Sequence, residues 1–75
     1  MAKSDCVVYH VLPGESGGWN VKHNNTNKIL GKHTTRTQAI LQARDLALSE
    51  VYSLLVVFDR EGNVEKQYNY GRRPG

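Results

Sequence analysis

Apolar and polar residues along this chain change places with two different periods, and the changes divide it into six elements. Cys6 to Leu12 is rich in β-branched and aromatic residues and reads as a strand. Trp19 to His23 alternates Trp-Asn-Val-Lys-His, a half-buried strand with Trp19 and Val21 inward. Lys28 to Thr34 is a third strand. Its facing stays open, because Ile29 and Leu30 are adjacent and a slip of one residue exchanges the two faces. Keeping Lys28 and Lys32 outward avoids burying charge. The period then lengthens. From Arg36 to about Val51 good helix formers run without Gly or Pro, and Thr35 followed by Gln38 suits a capping box, with Thr37 as a rival cap. Ala39, Ile40, Ala43, Leu46 and Ala47 form one apolar arc, and Gln38, Gln42, Asp45 and Ser49 form a polar face. Ser53 to Phe58 is a continuous apolar run suited to a central strand, and Val64 to Tyr70 alternates as a last strand.

Turn chemistry fills the gaps. Pro13 to Gly18 is a cluster of breakers, Asn24 to Asn27 tolerates positive φ, and Asp59 to Asn63 is a hairpin loop containing Gly62. The expected architecture is therefore α+β. Strands and helix follow in the order β-β-β-α-β-β, as a small antiparallel sheet with one helix packed across one face. All 75 residues make one domain, with an ordered core of about 6–70 and short flexible ends at Met1 to Asp5 and Gly71 to Gly75.

Composition narrows the functional classes. A chain of this size has a small core and little room for a deep active-site pocket. Cys6 is the only cysteine, so no disulfide forms within the chain. The lone thiol and the lack of a secretory apolar segment point to the cytoplasm. Leu54 to Phe58 is too short to span a membrane. The net charge of +3 is a mild bias, but the charges are segregated. Between Ser16 and Arg44 there is no carboxylate, and Lys22, Lys28, Lys32, Arg36 and Arg44 all lie there. From Asp45 to Glu65 acidic residues prevail, with Arg60 the lone basic exception. Segregation of this kind gives a surface one basic side.

Several short motifs together resemble a known family. These are a strand ending Val11-Leu12-Pro13, the step Gly18-Trp19-Asn20-Val21-Lys22, the helix segments Gln38-Ala39-Ile40 and Ala43-Arg44, and Leu55-Val56-Val57-Phe58 leading into Asp59-Arg60-Glu61-Gly62. From roughly Val8 to Tyr70 they resemble the bacterial domain of unknown function 2188. That resemblance implies a small antiparallel sheet with one helix, and carries no activity or catalytic residues. Three strands followed by a helix are also loosely similar to the arm-type DNA-binding domain of phage integrases and to the plant AP2 domain, which lay a sheet in the major groove. The two strands after the helix do not fit that comparison.

No constellation for chemistry stands out. Cys6 sits on an apolar strand with no base placed beside it, and a buried thiol is inert. His10, His23 and His33 are ten or more apart, and zinc ligands commonly come in closely spaced pairs, although His23 and His33 can meet across the Asn-rich turn. Asp59 and Glu61 flank a turn and read as solvated. Gly14, Gly17 and Gly18 lead into a strand, so they offer no helix N-terminus to a phosphate. The expectation is a binding module with no catalytic residues, no metal and no cofactor.

Two binding readings remain. In the first, Asn20, Lys22, Lys28 and Lys32 share a sheet face with Arg36 at its edge. The cations hold phosphates, Asn20 reads a base edge, and Tyr68 and Tyr70 stack on bases. In the second, the apolar surplus of Leu41 and Leu48 on the helix flank, with Tyr52, packs a protein partner or a second copy. That partner role includes a phage- or plasmid-type modulator of a larger complex.

Overall fold

The computed structural model describes residues 6–71 of the 75. The two chain ends expected to be flexible lie outside those residues, apart from Gly71. Five strands and one helix follow in the expected order: β1 Val7–Pro13, β2 Trp19–His23, β3 Lys28–His33, α1 Arg36–Leu48, β4 Tyr52–Phe58 and β5 Val64–Gly71. The strands form one sheet in the order β3-β2-β1-β4-β5, and α1 crosses one face. Among the described residues, no helix is long and apolar enough to cross a membrane.

The sheet is mixed. Three neighbouring pairs, β1–β2, β2–β3 and β4–β5, are antiparallel, but β1 and β4 run parallel in the centre, Val7 beside Ser53 and Val11 beside Val57. The helix explains this departure from an all-antiparallel sheet. It carries the chain back over the sheet, so β4 starts at the same end as β1 and inserts beside it rather than beside β3.

Alternation along each strand sorts the core. Toward α1 point Tyr9, Val11, Trp19, Val21, Leu55 and Val57, all buried. Ala39, Ala43 and Ala47 meet them from the helix. With alanine at its contact positions, α1 lies close against the sheet, which a row of leucines would prevent. Ile40 and Leu46 close the two sides of the contact. Thr35 caps the helix, its hydroxyl accepting from Gln38 N–H at 3.2 Å. The helix stops at Leu48, three residues short of the predicted end. Buried Ser53, at the start of β4, donates its hydroxyl to the Ala47 carbonyl at 2.8 Å and secures that last turn.

The loops behave as their residues require. Asn27 takes φ 61° in the β2–β3 turn. In the β4–β5 loop, one Asp59 carboxylate oxygen accepts from Glu61 and Asn63 N–H at 2.9 Å each, while Gly62 takes φ 86°.

Each edge strand carries a bulge. In β3, Val21 faces Gly31 and Lys22 faces Ile29, so Leu30 is the extra residue. In β5, Val57 faces Lys66 and Phe58 faces Val64, so Glu65 is the extra residue. The first bulge resolves the ambiguity at Ile29 and Leu30. It places Lys32 and Ile29 on the helix-free face and reverses Lys28, which faces His23 on the helix side.

Candidate nucleic-acid interface

Among the described residues one helix packs on the sheet and leaves its other face uncovered, and register assigns the residues of that face. One row crosses all five strands: Ile29, Lys22, His10, Val56 and Gln67. On one side of it lie Lys32, Asn20 and Leu12. On the other lie Val8, Leu54 and Asn69. Phe58 completes the central strand, and its ring meets the His10 ring edge-on at a centroid distance of 5.0 Å. The middle of the face is thus aliphatic and aromatic, with amides along β5 and two lysines along β2 and β3. Among the described residues, no strand position on this face holds a carboxylate.

The acidic groups lie elsewhere. Glu65 is paired with Arg36 at 2.6 Å, and Glu50 accepts the Tyr9 hydroxyl at 3.0 Å, both on the helix side. Burial, then the hydrogen bond and charge of Glu50, push the Tyr9 phenol up to about 12. At the corner of the uncovered face, Asn20 and Lys32 border an open cleft of about 640 Å³ whose opposite wall is the Gly14 to Gly18 loop, with Glu15 on its rim.

His10 sits at the centre of this arrangement. Desolvation, then the Lys22 charge on the next strand, hold its imidazole below the usual 6.5. Folding therefore favours the neutral ring. The associated stability is complete above pH 6.5 and is lost as pH falls through that value toward the lowered one. The expected result is an NMR titration midpoint for His10 below 6.5. The thermal midpoint is also expected to fall between pH 7 and 5 by more in the native chain than in His10→Gln. A His10 midpoint at or above 6.5 contradicts this account.

Of the five residues expected to share a basic face, the structure brings together Asn20, Lys22 and Lys32. It sends two away. Lys28 is turned by the bulge at Leu30. Arg36 opens the helix on the covered side, where its guanidinium lies 5.6 Å from the Trp19 ring centre and pairs with Glu65. The two tyrosines are also displaced. Tyr68 faces Leu55 and Tyr70 faces Ser53, so both stand on the helix side. His10 and Phe58, and Tyr52 at the start of β4, are the aromatic groups on the uncovered face, and strand parity was the signal that pointed to them.

The expected protein contact is divided in the same way. Leu41 and Leu48 are about half exposed on the outer side of α1. Tyr52 belongs by parity to the other face, with Leu54 and Val56. Cys6, expected on the first strand, is exposed just ahead of it. His23 and His33 stand at opposite ends of the β2–β3 ladder, facing Lys28 and Trp19. Gln42 lies toward β3 and not on a free polar face. Its carbonyl oxygen accepts from His33 Nε2 at 2.6 Å, and its amide donates to the Leu30 carbonyl at 3.3 Å.

Comparison with protein families gives a match over residues 9–70 to a family described as an uncharacterized protein conserved in bacteria, DUF2188. The chain belongs to this family. The match spans every element of the fold, from within β1 to within β5, so the uncovered face and the helix flank are both parts of the DUF2188 domain. No curated protein and no solved structure matches the chain.

Proposed function

We propose that this DUF2188 domain is a non-catalytic cytoplasmic module that binds single-stranded nucleic acid across its helix-free sheet face. The observation that carries this reading is the composition of that face: Lys22, Lys32 and Asn20 beside the His10–Phe58 pair, with no strand carboxylate among them. Lys22 and Lys32 hold phosphates, and Asn20 pairs with a base edge. Unstacked bases lie on Phe58, His10 and the aliphatic ridge of Leu12 and Leu54. A duplex keeps its bases stacked inside, so this apolar floor favours single strands.

The test is anisotropy of labelled oligonucleotides, single-stranded and duplex, at two salt concentrations. Trp19 is buried on the opposite side of the sheet, so its fluorescence would report the contact poorly. Two phosphate contacts on a single strand give a slope of log K against log salt near about −1.4. Lys22→Glu with Lys32→Glu is expected to remove that slope and weaken low-salt binding at least about tenfold, with folding unchanged. No binding at low salt, or equal binding by the double variant, would refute the proposal.

A second reading, a protein-interaction module, has its own support. Leu41, Leu48 and Val51 are exposed by 52%, 54% and 72%, more apolar surface than an isolated helix flank needs.

A further inference from the structure

The two edges of the sheet differ in how they are protected. At β3 the edge is short and carries Lys28 and Lys32, and its bulge carbonyl at Leu30 is taken by Gln42. Lysines, bulges and side-chain caps are the usual means of blocking strand addition. At β5 the bulge comes early, at Glu65. Beyond it Lys66 to Gly71 runs regularly against β4, and the five residues from Gln67 onward carry no charge. This strand is exposed nearly throughout. Alternate residues there turn backbone N–H and C=O groups outward with no strand beyond them among the described residues.

Beside that open edge is an apolar shelf. The helix reaches β5 least of all the strands. Tyr68 and Tyr70 stand side by side, ring centres 6.4 Å apart, and Tyr70 with Leu48 and Val51 lines an open cleft of about 480 Å³ whose one charged lining residue is Glu50, the acceptor of the Tyr9 hydroxyl.

We propose that β5 pairs antiparallel with β5 of a second copy of this chain, joining two five-stranded sheets into one of ten. The sequence of the strand favours a copy of itself over another occupant. A two-fold axis perpendicular to the sheet requires facing residues to share a face. The register centred on Tyr68 meets that condition and lies wholly within the bulge-free segment. In it Tyr68 faces Tyr68, Lys66 faces Tyr70 of the second copy, and Gln67 faces Asn69. These are an aromatic pair, two cation–π pairs and two amide pairs, with no like charges opposed. A register centred on Lys66 sets two ammonium groups against each other, and one centred on Gln67 runs into the bulge. The small chain also gains by it, because three of the ten buried apolar residues among those described are alanines, and domains of this size commonly draw stability from a second subunit.

The experiment is sedimentation equilibrium on the full chain, with circular dichroism to verify folding. The native protein is expected at twice 8.4 kDa. Tyr68→Lys and Tyr68→Glu, each placing like charges at the centre, are expected to sediment as monomers. Mixing the two is expected to restore the dimer. Should either substitution unfold the chain, Gln67→Lys with Asn69→Lys tests the same register from the exposed face of the strand. It is expected to raise the dissociation constant at least about tenfold. A monomeric native chain overturns the proposal. So does a dimer that survives the β5 changes, including one that separates only on Leu41→Glu with Leu48→Glu. None of these outcomes bears on Lys22 and Lys32, so nucleic-acid binding is judged separately.

Discussion

Trp19→Ala is expected to remove about 3–5 kcal/mol of folding stability, the range for truncating a large aromatic side chain in a packed core. A domain of this length has a total of roughly 4–11 kcal/mol, so the variant should be largely or marginally unfolded at 37 °C. The side chain is 4% exposed, at the first position of β2, between Pro13 and His33 on the neighbouring strands. The Arg36 and Arg60 guanidinium carbons lie 5.6 and 5.4 Å from its ring centre, so it also ties the start of α1 and the β4–β5 loop to the sheet. Arg36 retains Glu65 when the ring is lost, but Arg60 has no other partner among the described hydrogen bonds and ion pairs. Urea unfolding followed by circular dichroism measures the loss without needing the indole. Trp19→Phe keeps a ring in place and is expected to lose less than the alanine variant. A loss under about 1 kcal/mol for Trp19→Ala would show that the ring packs peripherally.

Trp19 was also the most legible core residue. Its strand has an unambiguous polar face opposite, so parity alone turned it inward with Val21. The helix was equally plain, because its alanines recur at helical spacing and Thr35 stands where a cap is needed. Strand and helix order followed from the same local signals. Local signals end where non-local pairing begins. Nothing in the residues of β1 or β4 states that they run parallel. That depends on where the helix delivers the chain, and an apolar run suits a central strand of either sense.

The candidate site was legible to the same limit. Asn20 and Lys22 lie on one strand at a spacing of two, so their common face required no tertiary knowledge. Lys28 and Lys32 are four apart, which preserves parity only in a regular strand. The bulge at Leu30 inserts one residue between them and separates their faces. Adjacent Ile29 and Leu30 marked the place where the period failed, but did not say which way it would be resolved. Arg36 was misplaced for a different reason. A helix N-terminus next to a basic strand in sequence still lies on the covered side of the sheet. There Trp19 and Glu65 offer the guanidinium a face and a charge.

Gly18→Ala is the second substitution expected to be costly, by about 1–3 kcal/mol, and its cause is overpacking. A Cβ at residue 18 would stand 2.5 Å from the His33 backbone carbonyl oxygen. That atom cannot rotate away as the end of a flexible side chain can. His33 faces Trp19 across the β2–β3 ladder, and its imidazole is bonded to Gln42, which is bonded in turn to the Leu30 carbonyl. Relief of the clash therefore has to move β3 away from β2 at the end where Trp19 is held, or tilt the backbone leading into Trp19. Either movement also displaces Lys32 from Asn20, its neighbour across the ladder. At about 4–8 °C per kcal/mol for a domain of this size, the thermal midpoint should fall by several degrees or more. Ser16→Ala, on the exposed crest of the same loop, should stay within about 0.5 kcal/mol of the native chain and serves as the control. If Gly18→Ala melts together with that control, the close approach of the loop to β3 has slack, and the corner formed by Asn20 and Lys32 is not held in place by the glycine that precedes β2.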